Sequence, residues 1–318
     1  MNNIPPLQTP EDYSLFTIHY SLILAPMAGV SDRAFREVCA AFGAVQTCSE
    51  MVSARALVYQ DKKSLTLLPR GLGERDYAVQ LFGHEPDLLA AAAEKVIALE
   101  NPDRIDINMG CPTGKIIKNG DGAALMQNPK LAGEIVAAVK KAIGNKKLSV
   151  KIRKGFDNGN INAVEIARIA EACGAEQIAV HGRTAKQLYS GLSDSTIIRE
   201  VKKAVSVPVV ANGDIFTPGD AEKLLRYTGA DYAMVGRGAM GNPWIFAGRE
   251  PPELRERVRV ALAQITRAAE LKGEYIACLE ARKHFAWYLR GLRGATRLRD
   301  KISRVETLEQ LKAIAVEL

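Results

Sequence analysis

One pattern constrains the fold of this chain more than any other. From Ser21 to about Gly248, a short β-branched, apolar segment ends in Gly, Pro or a polar cluster, and an amphipathic helical stretch follows it. The candidate strands are Leu22–Met27, Ala44–Glu50, Tyr77–Phe82, Arg104–Met109, Leu148–Ile152, Gln177–His181, Val207–Ala211 and Tyr232–Val235. Between them, Leu88–Leu99, Leu131–Ile143 and Ala163–Cys173 carry apolar residues at helical spacing. Asp220–Tyr227 follows Pro218 and Gly219, a helix-start signal. Eight strands alternating with helices over about 230 residues match an α/β fold of the (β/α)8 TIM-barrel type, which needs about 250. A doubly wound sheet is the competing architecture, and it usually carries a Gly-rich fingerprint after its first strand. Here the first strand runs into Ala25-Pro26-Met27-Ala28-Gly29-Val30, which lacks that spacing.

After Trp244-Ile245-Phe246 the strand signal stops. Glu250-Pro251-Pro252-Glu253 reads as a linker. Helical periodicity then covers Val258–Lys272, Cys278–Leu292 and Thr307–Val316, with Thr307 and Gln310 placed as a capping box. The expected division is a catalytic barrel over residues 1–248 and a small helical domain over 249–318.

Charge is uneven along the chain. The net charge is +7, and residues 249–318 hold 15 Lys/Arg against 10 Asp/Glu. From Arg282 to Arg304 there are eight basic residues and a single acid, Asp300. A run of this kind is either a solvated helix face or a surface for a phosphate backbone. No apolar stretch approaches the roughly 20 residues that span a membrane. Met1–Thr17 lacks the basic and apolar regions of a signal peptide. The five cysteines are dispersed with no CxxC pair, which argues against a disulfide framework and a metal site. A reducing cytoplasm is the expected compartment.

The unusual polar residues sit at strand ends. Gln80, Asn108, Lys151, Arg153, His181, Arg183 and Asn212 all do so, and Gly236-Arg237-Gly238 closes the eighth strand. Singly, each has a plain reading: a satisfied core amide, a snorkelling lysine, a structural histidine, a simple turn. In a barrel, however, all strand C-termini meet at one rim, where this fold puts its chemistry. The run Asp106-Ile107-Asn108-Met109-Gly110-Cys111-Pro112 places a thiol at that rim rather than in a core. Glycine-rich turns at Asn212-Gly213-Asp214 and Gly236–Gly241 follow strands seven and eight, where the fold commonly holds a phosphate.

Several segments, taken in order, resemble the tRNA-dihydrouridine synthases, flavin-dependent reductases of uridine in tRNA. They are Leu24-Ala25-Pro26-Met27-Ala28-Gly29-Val30, Asn108-Met109-Gly110-Cys111-Pro112, Val150-Lys151-Ile152-Arg153, Val180-His181-Gly182-Arg183-Thr184, Val210-Ala211-Asn212-Gly213-Asp214 and Val235–Trp244. Lys283-His284-Phe285-Ala286-Trp287-Tyr288-Leu289 is similar to the bacterial B-type branch. The resemblance implies FMN across the rim. Pro26, Met27 and Ala28 would lie against its ring, with Gln80 and Lys151 on the ring's polar edge. His181 would stand near the ribityl or phosphate end, and Asn212, Gly213, Asp214, Gly236 and Arg237 would hold the phosphate arm.

It also implies NAD(P)H, usually NADPH, as reductant, and Cys111 as donor of a proton to C5 of uracil once hydride has reached C6. An ordinary thiol, with a pKa of about 8.5, keeps its proton at neutral pH for such a role. Asn108, Arg183 and Thr184 are expected near the nucleotide, and Arg282, Lys283, Arg290 and Arg293 on tRNA phosphates. Phe285 and Trp287 read as core packing. Two other readings are an FMN barrel reducing a free pyrimidine or enone, and a non-catalytic RNA-binding barrel.

Overall fold

A ring of eight parallel strands organises the computed structural model, which describes residues 21–292 and 295–316. The strands are β1 (Leu22–Leu24), β2 (Gln46–Cys48), β3 (Asp76–Phe82), β4 (Arg104–Met109), β5 (Lys147–Asp157), β6 (Gln177–Thr184), β7 (Val209–Asn212) and β8 (Tyr232–Val235). Each pairs in parallel with its sequence neighbours, and β1 pairs with both β2 and β8. That closing pair makes a barrel and rules out the open doubly wound sheet. The expected Met1–Thr17 segment and Arg293 lie outside the described residues.

Side-chain alternation along the strands sorts two environments. Ile105, Ile107 and Met109 of β4, with Leu148, Val150 and Ile152 of β5, join a core shared with the surrounding helices. Ile23, Ala25, Ala179, Val210 and Met234 form a small separate apolar cluster contributed by the opposite positions of β1, β6, β7 and β8. Other inward positions carry Gln80, Asp106, Asn108, Lys151, His181 and Asn212, so polar groups gather beside this apolar cluster.

Strand bounds differ from expectation: β1 and β2 are shorter, at Leu22–Leu24 and Gln46–Cys48, and β5 and β6 run further. β5 continues past Ile152 because Asp157-Asn158-Gly159 turns the chain into a hairpin with Asn160–Ile161. β6 continues to Thr184, held by the Gly155–Thr184 pairing with β5.

The helical extension comprises Leu254–Lys272, Glu274–Tyr288, Ala295–Ile302 and Leu308–Val316. The second helix begins and ends about four residues earlier than the sequence pattern suggests. Gly273, at φ +87°, ends the first helix and lets the next begin at once. The Thr307–Gln310 capping box is formed in both directions, each bond 3.3 Å.

These helices share one hydrophobic core with β1, β8 and the helix Arg33–Ala41. Trp244 is its hub: fully buried, it meets Phe42 and Tyr288 edge-on and donates Nε1–H to Glu256 at 2.9 Å. Among the described residues, no helix is long and apolar enough to cross a membrane.

A buried polar triad lies inside the extension. Gln264 Nε2 is 2.9 Å from His284 Nδ1, and Tyr288 OH donates to Gln264 Oε1 at 2.8 Å. Burial pushes the His284 pKa from 6.5 to about 4. The unfolded chain therefore binds the proton first, so this contribution to stability is full above pH 6.5 and erodes as pH falls toward 4. His181 acts in the same sense. Thermal unfolding measured across this range should show a smaller loss of Tm for His284→Gln than for the wild type. Equal slopes would remove His284 from the account.

Candidate active site

The C-terminal ends of the strands surround a cavity of about 510 Å³, within the size range of about 300–1,000 Å³ typical of small-molecule sites. It is lined by Pro26, Met27, Ala28, Gln80, Asn108, Cys111, Lys151, His181, Asn212, Gly213, Asp214, Gly236 and Arg237. The structure thus gathers the residues expected at a cofactor, together with the cysteine, into one place. Met51, Arg153, Tyr189, Phe216 and Met234 complete much of the wall.

Lys151, Arg153 and Arg237 bring positive charge to the cavity. Lys151 Nζ donates to Asn212 Oδ1 at 3.2 Å, and Asn212 Nδ2 donates to the Met234 carbonyl at 2.7 Å. Burial, reinforced by the Arg153 charge and opposed by Asp106, lowers the Lys151 pKa to about 8. Burial and then Lys151, Arg153, Arg183 and Arg237 push the His181 pKa far below its usual value. Its imidazole is therefore neutral, which suits Nε2 facing Arg183 Nη1 at 3.5 Å.

Asp214 organises the turn after β7. Its backbone is left-handed, at φ +52°. Its carboxylate accepts from Arg183 Nη2 at 2.8 Å, Ser193 N at 2.8 Å and Arg237 Nη2 at 3.3 Å. A carboxylate would repel an anion, so its role here is to aim Arg237. That guanidinium also lies 4.4 Å from the Tyr189 ring centroid and 5.4 Å from that of Phe216.

Cys111 lines the same cavity, half-exposed, with Sγ 3.3 Å from Thr113 Oγ1. Its loop is fixed by backbone bonds. Cys111 N and Gly110 N donate to Asn108 Oδ1 at 2.9 and 3.1 Å, and Ala123 N donates to the Cys111 carbonyl at 3.0 Å. Gly122, at φ +59°, passes so close that an added Cβ would sit 2.9 Å from the Cys111 carbonyl oxygen.

Arg153 belongs to this site, although the cofactor expectation names only its neighbour Lys151. Its buried guanidinium donates to the carbonyls of Gly110 (2.8 Å), Thr184 (2.8 Å) and Leu188 (3.1 Å), joining the Cys111 loop to the loop after β6. The available signal was its position two residues beyond Lys151, on the same face of β5.

The residues expected at the substrate divide. Asn108 lines the cavity, but its amide is engaged by Gln80 and the Cys111 loop. Arg183 and Thr184 are buried, and their polar atoms hold the 187–191 loop and Asp214. They shape the rim from behind it. Arg282 donates to the Val305 carbonyl at 3.1 Å within the helical extension. Lys283 is exposed, and its Nζ reaches the Gly29 carbonyl on the rim loop after β1. Arg290 is exposed. Phe285 is fully buried and Trp287 partly so, as core packing requires.

The residues present fit FMN. Ala25, Met27 and Met234 offer an apolar bed for a flat ring. Lys151 and Arg237 keep N–H donors beyond those spent on Asn212 and Asp214, for ring carbonyls and a phosphate. Among the described residues, no group of three or more His, Cys, Asp or Glu is placed to hold a metal ion.

Residues 23–317 match the family model described as dihydrouridine synthase (Dus). The chain is 43% identical over 284 residues to tRNA-dihydrouridine synthase B of Shewanella oneidensis, covering 86% of this chain and 88% of that one. It is 40% identical over 306 residues to tRNA-dihydrouridine synthase B of Vibrio cholerae, covering 93% and 94%. Among solved structures, histamine dehydrogenase from Rhizobium sp. 4-9 superposes with a TM-score of 0.55 at 14% identity, over 83% of this chain and 49% of that one. That likeness concerns the barrel fold alone. With the family model spanning the barrel and nearly all of the extension, the chain belongs to the dihydrouridine synthase family of flavin-dependent oxidoreductases, in its B-type branch.

Proposed function

We propose that this enzyme reduces the C5=C6 bond of uridine in tRNA to give 5,6-dihydrouridine, with FMN in the rim cavity and NADPH as reductant, in the cytoplasm. The observation that carries the reading is one cavity lined by Lys151, Asn212 and Arg237 together with a half-exposed Cys111. When bound there, FMN supplies hydride transfer and is refilled by the reduced nicotinamide. Everything else falls to the chain. Hydride arriving at C6 pushes charge toward C5 and the C4 oxygen of uracil, and Cys111 Sγ–H supplies the proton at C5. The thiol is then reprotonated from solvent, which its exposure allows. Pro26, Met27, Ala28, Gln80, His181, Gly213 and Gly236 shape the cofactor's bed, and Asp214 orients Arg237 for the phosphate.

The target base has to leave its stack to enter a cavity of this depth. Residues 249–318 would form the tRNA-binding domain that presents it, with Lys283, Arg290 and Arg293 among its phosphate contacts. tRNA affinity should then fall steeply as salt rises, and Arg290→Ala should reduce the slope of log K against log salt by about 1. Salt-insensitive binding would remove the phosphate-contact idea. The direct test is to map dihydrouridine in tRNA from cells lacking the gene and from cells given it back, alongside purified enzyme on tRNA and on free uridine. Loss and return of specific dihydrouridines, with turnover on tRNA far above that on free uridine, is expected. An unchanged map would overturn the proposal.

A further inference from the structure

The proposed reaction leaves one member of the Asp106–Pro112 run without work. Asp106 lies two residues before Asn108 on β4, 6% exposed, with its carboxylate inside the barrel. Strand register sets Gln80, Asp106 and Ser149 abreast on β3, β4 and β5. Asp106 accepts from Gln80 Nε2 at 2.7 Å and from Ser149 Oγ at 2.5 Å. Gln80 Oε1 in turn accepts from Asn108 Nδ2 at 2.7 Å. Asn108 Oδ1 then accepts from the backbone N–H groups of Gly110 and Cys111.

Every bond in this chain runs the same way, and the direction is forced at both ends. Backbone N–H groups can only donate, and an ionised carboxylate can only accept. Each amide between them has two orientations, of which one satisfies both ends. Packing alone does not call for a carboxylate here, because burying one is costly. What a carboxylate adds over an amide is acceptor-only character.

We infer that Asp106 is a positioning residue for Cys111: its carboxylate sets the polarity of the Gln80–Asn108 relay, and the relay fixes the backbone that carries the thiol. The geometry stands by itself, and the catalytic consequence rests on the proposed reaction. Burial raises the Asp106 pKa, while the Gln80 and Ser149 hydrogen bonds and the Lys151 charge oppose that rise. The other ionisable groups acting on this site are Arg104 and the buried Cys48 thiol.

Charge swapping tests the polarity. Gln80→Glu sets two acceptors face to face and breaks the relay. Adding Asp106→Asn lets the new amide at 106 donate to the new carboxylate at 80, which still accepts from Asn108. Asp106→Asn alone no longer forces the relay, because its amide can present either its oxygen or its NH2 to Gln80.

Three measurements on holoenzyme serve: kcat and KM on tRNA, flavin absorbance, and the pH profile of Cys111 alkylation followed by mass spectrometry. Asp106→Asn should lower kcat, though less than Gln80→Glu, which should lose about tenfold or more with KM for tRNA unchanged. That loss should deepen as pH rises, because a proton shared by the two carboxyls can replace the missing donor. The double variant should recover about tenfold in kcat and regain the wild-type alkylation profile. A double variant no better than Gln80→Glu in both readouts overturns the inference. Alkylation needs no substrate, so wild-type enzyme inert on tRNA would sink the proposed reaction while leaving the relay open to this test.

Discussion

Cys111→Ala should purify with its flavin in place and fail to make dihydrouridine. The retention follows from how the loop is held. Asn108 Oδ1 takes the N–H groups of Gly110 and Cys111, Arg153 takes the Gly110 carbonyl, and Ala123 N takes the Cys111 carbonyl. None of these bonds uses the thiol, which lies 3.3 Å from Thr113 Oγ1. Removing sulfur from a half-exposed position leaves no buried cavity, so Tm should not move beyond error. The turnover loss follows from the missing proton donor, which is worth about 10²–10⁴-fold for a positioned general acid. Cys111→Ser, which keeps an O–H with a much weaker acidity, should fall between the two. The measurement is single-turnover dihydrouridine formation by pre-reduced enzyme, with flavin content read by absorbance. Full turnover, or a colourless protein, would falsify the assignment of Cys111 as donor.

Much of this site was legible because barrel geometry converts a one-dimensional pattern into a ring. Gln80, Asn108, Lys151, His181 and Asn212 each lie on a barrel strand, and strand period turns them inward to one cavity. Whether a polar residue meets a ligand or braces the protein is a different matter. Arg183 and Arg153 look alike in sequence, two guanidinium groups just past lysine or histidine. Arg153 is consumed by the carbonyls of Gly110, Thr184 and Leu188, remote in sequence, and Arg183 by those of Ser190 and Gly191 in the loop that follows it. Those loops have no periodicity that would place their carbonyls in advance. Asp214 shows the same limit, since an acid in this glycine-containing turn makes sense only once Arg183 and Arg237 are seen to converge on it. The helical extension was readable as helices, yet its docking was not, because docking depends on where Trp244 and the rim loops pack against it.

That docking contact yields the second large effect. Gly241, at φ +71°, follows the β8 turn and runs against the end of the helix Glu274–Tyr288. A Cβ at this position would lie 2.3 Å from the Trp287 carbonyl carbon and 2.4 Å from Tyr288 N. Both are backbone atoms of a helix end that is itself packed through Phe285, Tyr288 and Leu289, so no side chain can swing aside. Gly241→Ala therefore carries two penalties: a left-handed backbone that alanine disfavours, and displacement of the helix that bears Lys283 and leads to Arg290. Gly229 separates the two. It has nearly the same φ, +68°, with nothing within 4 Å of an added Cβ. Gly229→Ala should cost about 1 kcal/mol, the conformational term alone, whereas Gly241→Ala should cost on the order of 3 kcal/mol or more. At roughly 2–4 °C of Tm per kcal/mol for large domains, the second variant should melt several degrees below the first. It should also bind tRNA more weakly, because the displaced helix moves the basic surface relative to the cavity, whereas Gly229→Ala should bind as wild type does. Equal melting points for the two variants would mean that the helix end yields freely, and that the extension is not held to the barrel through this contact.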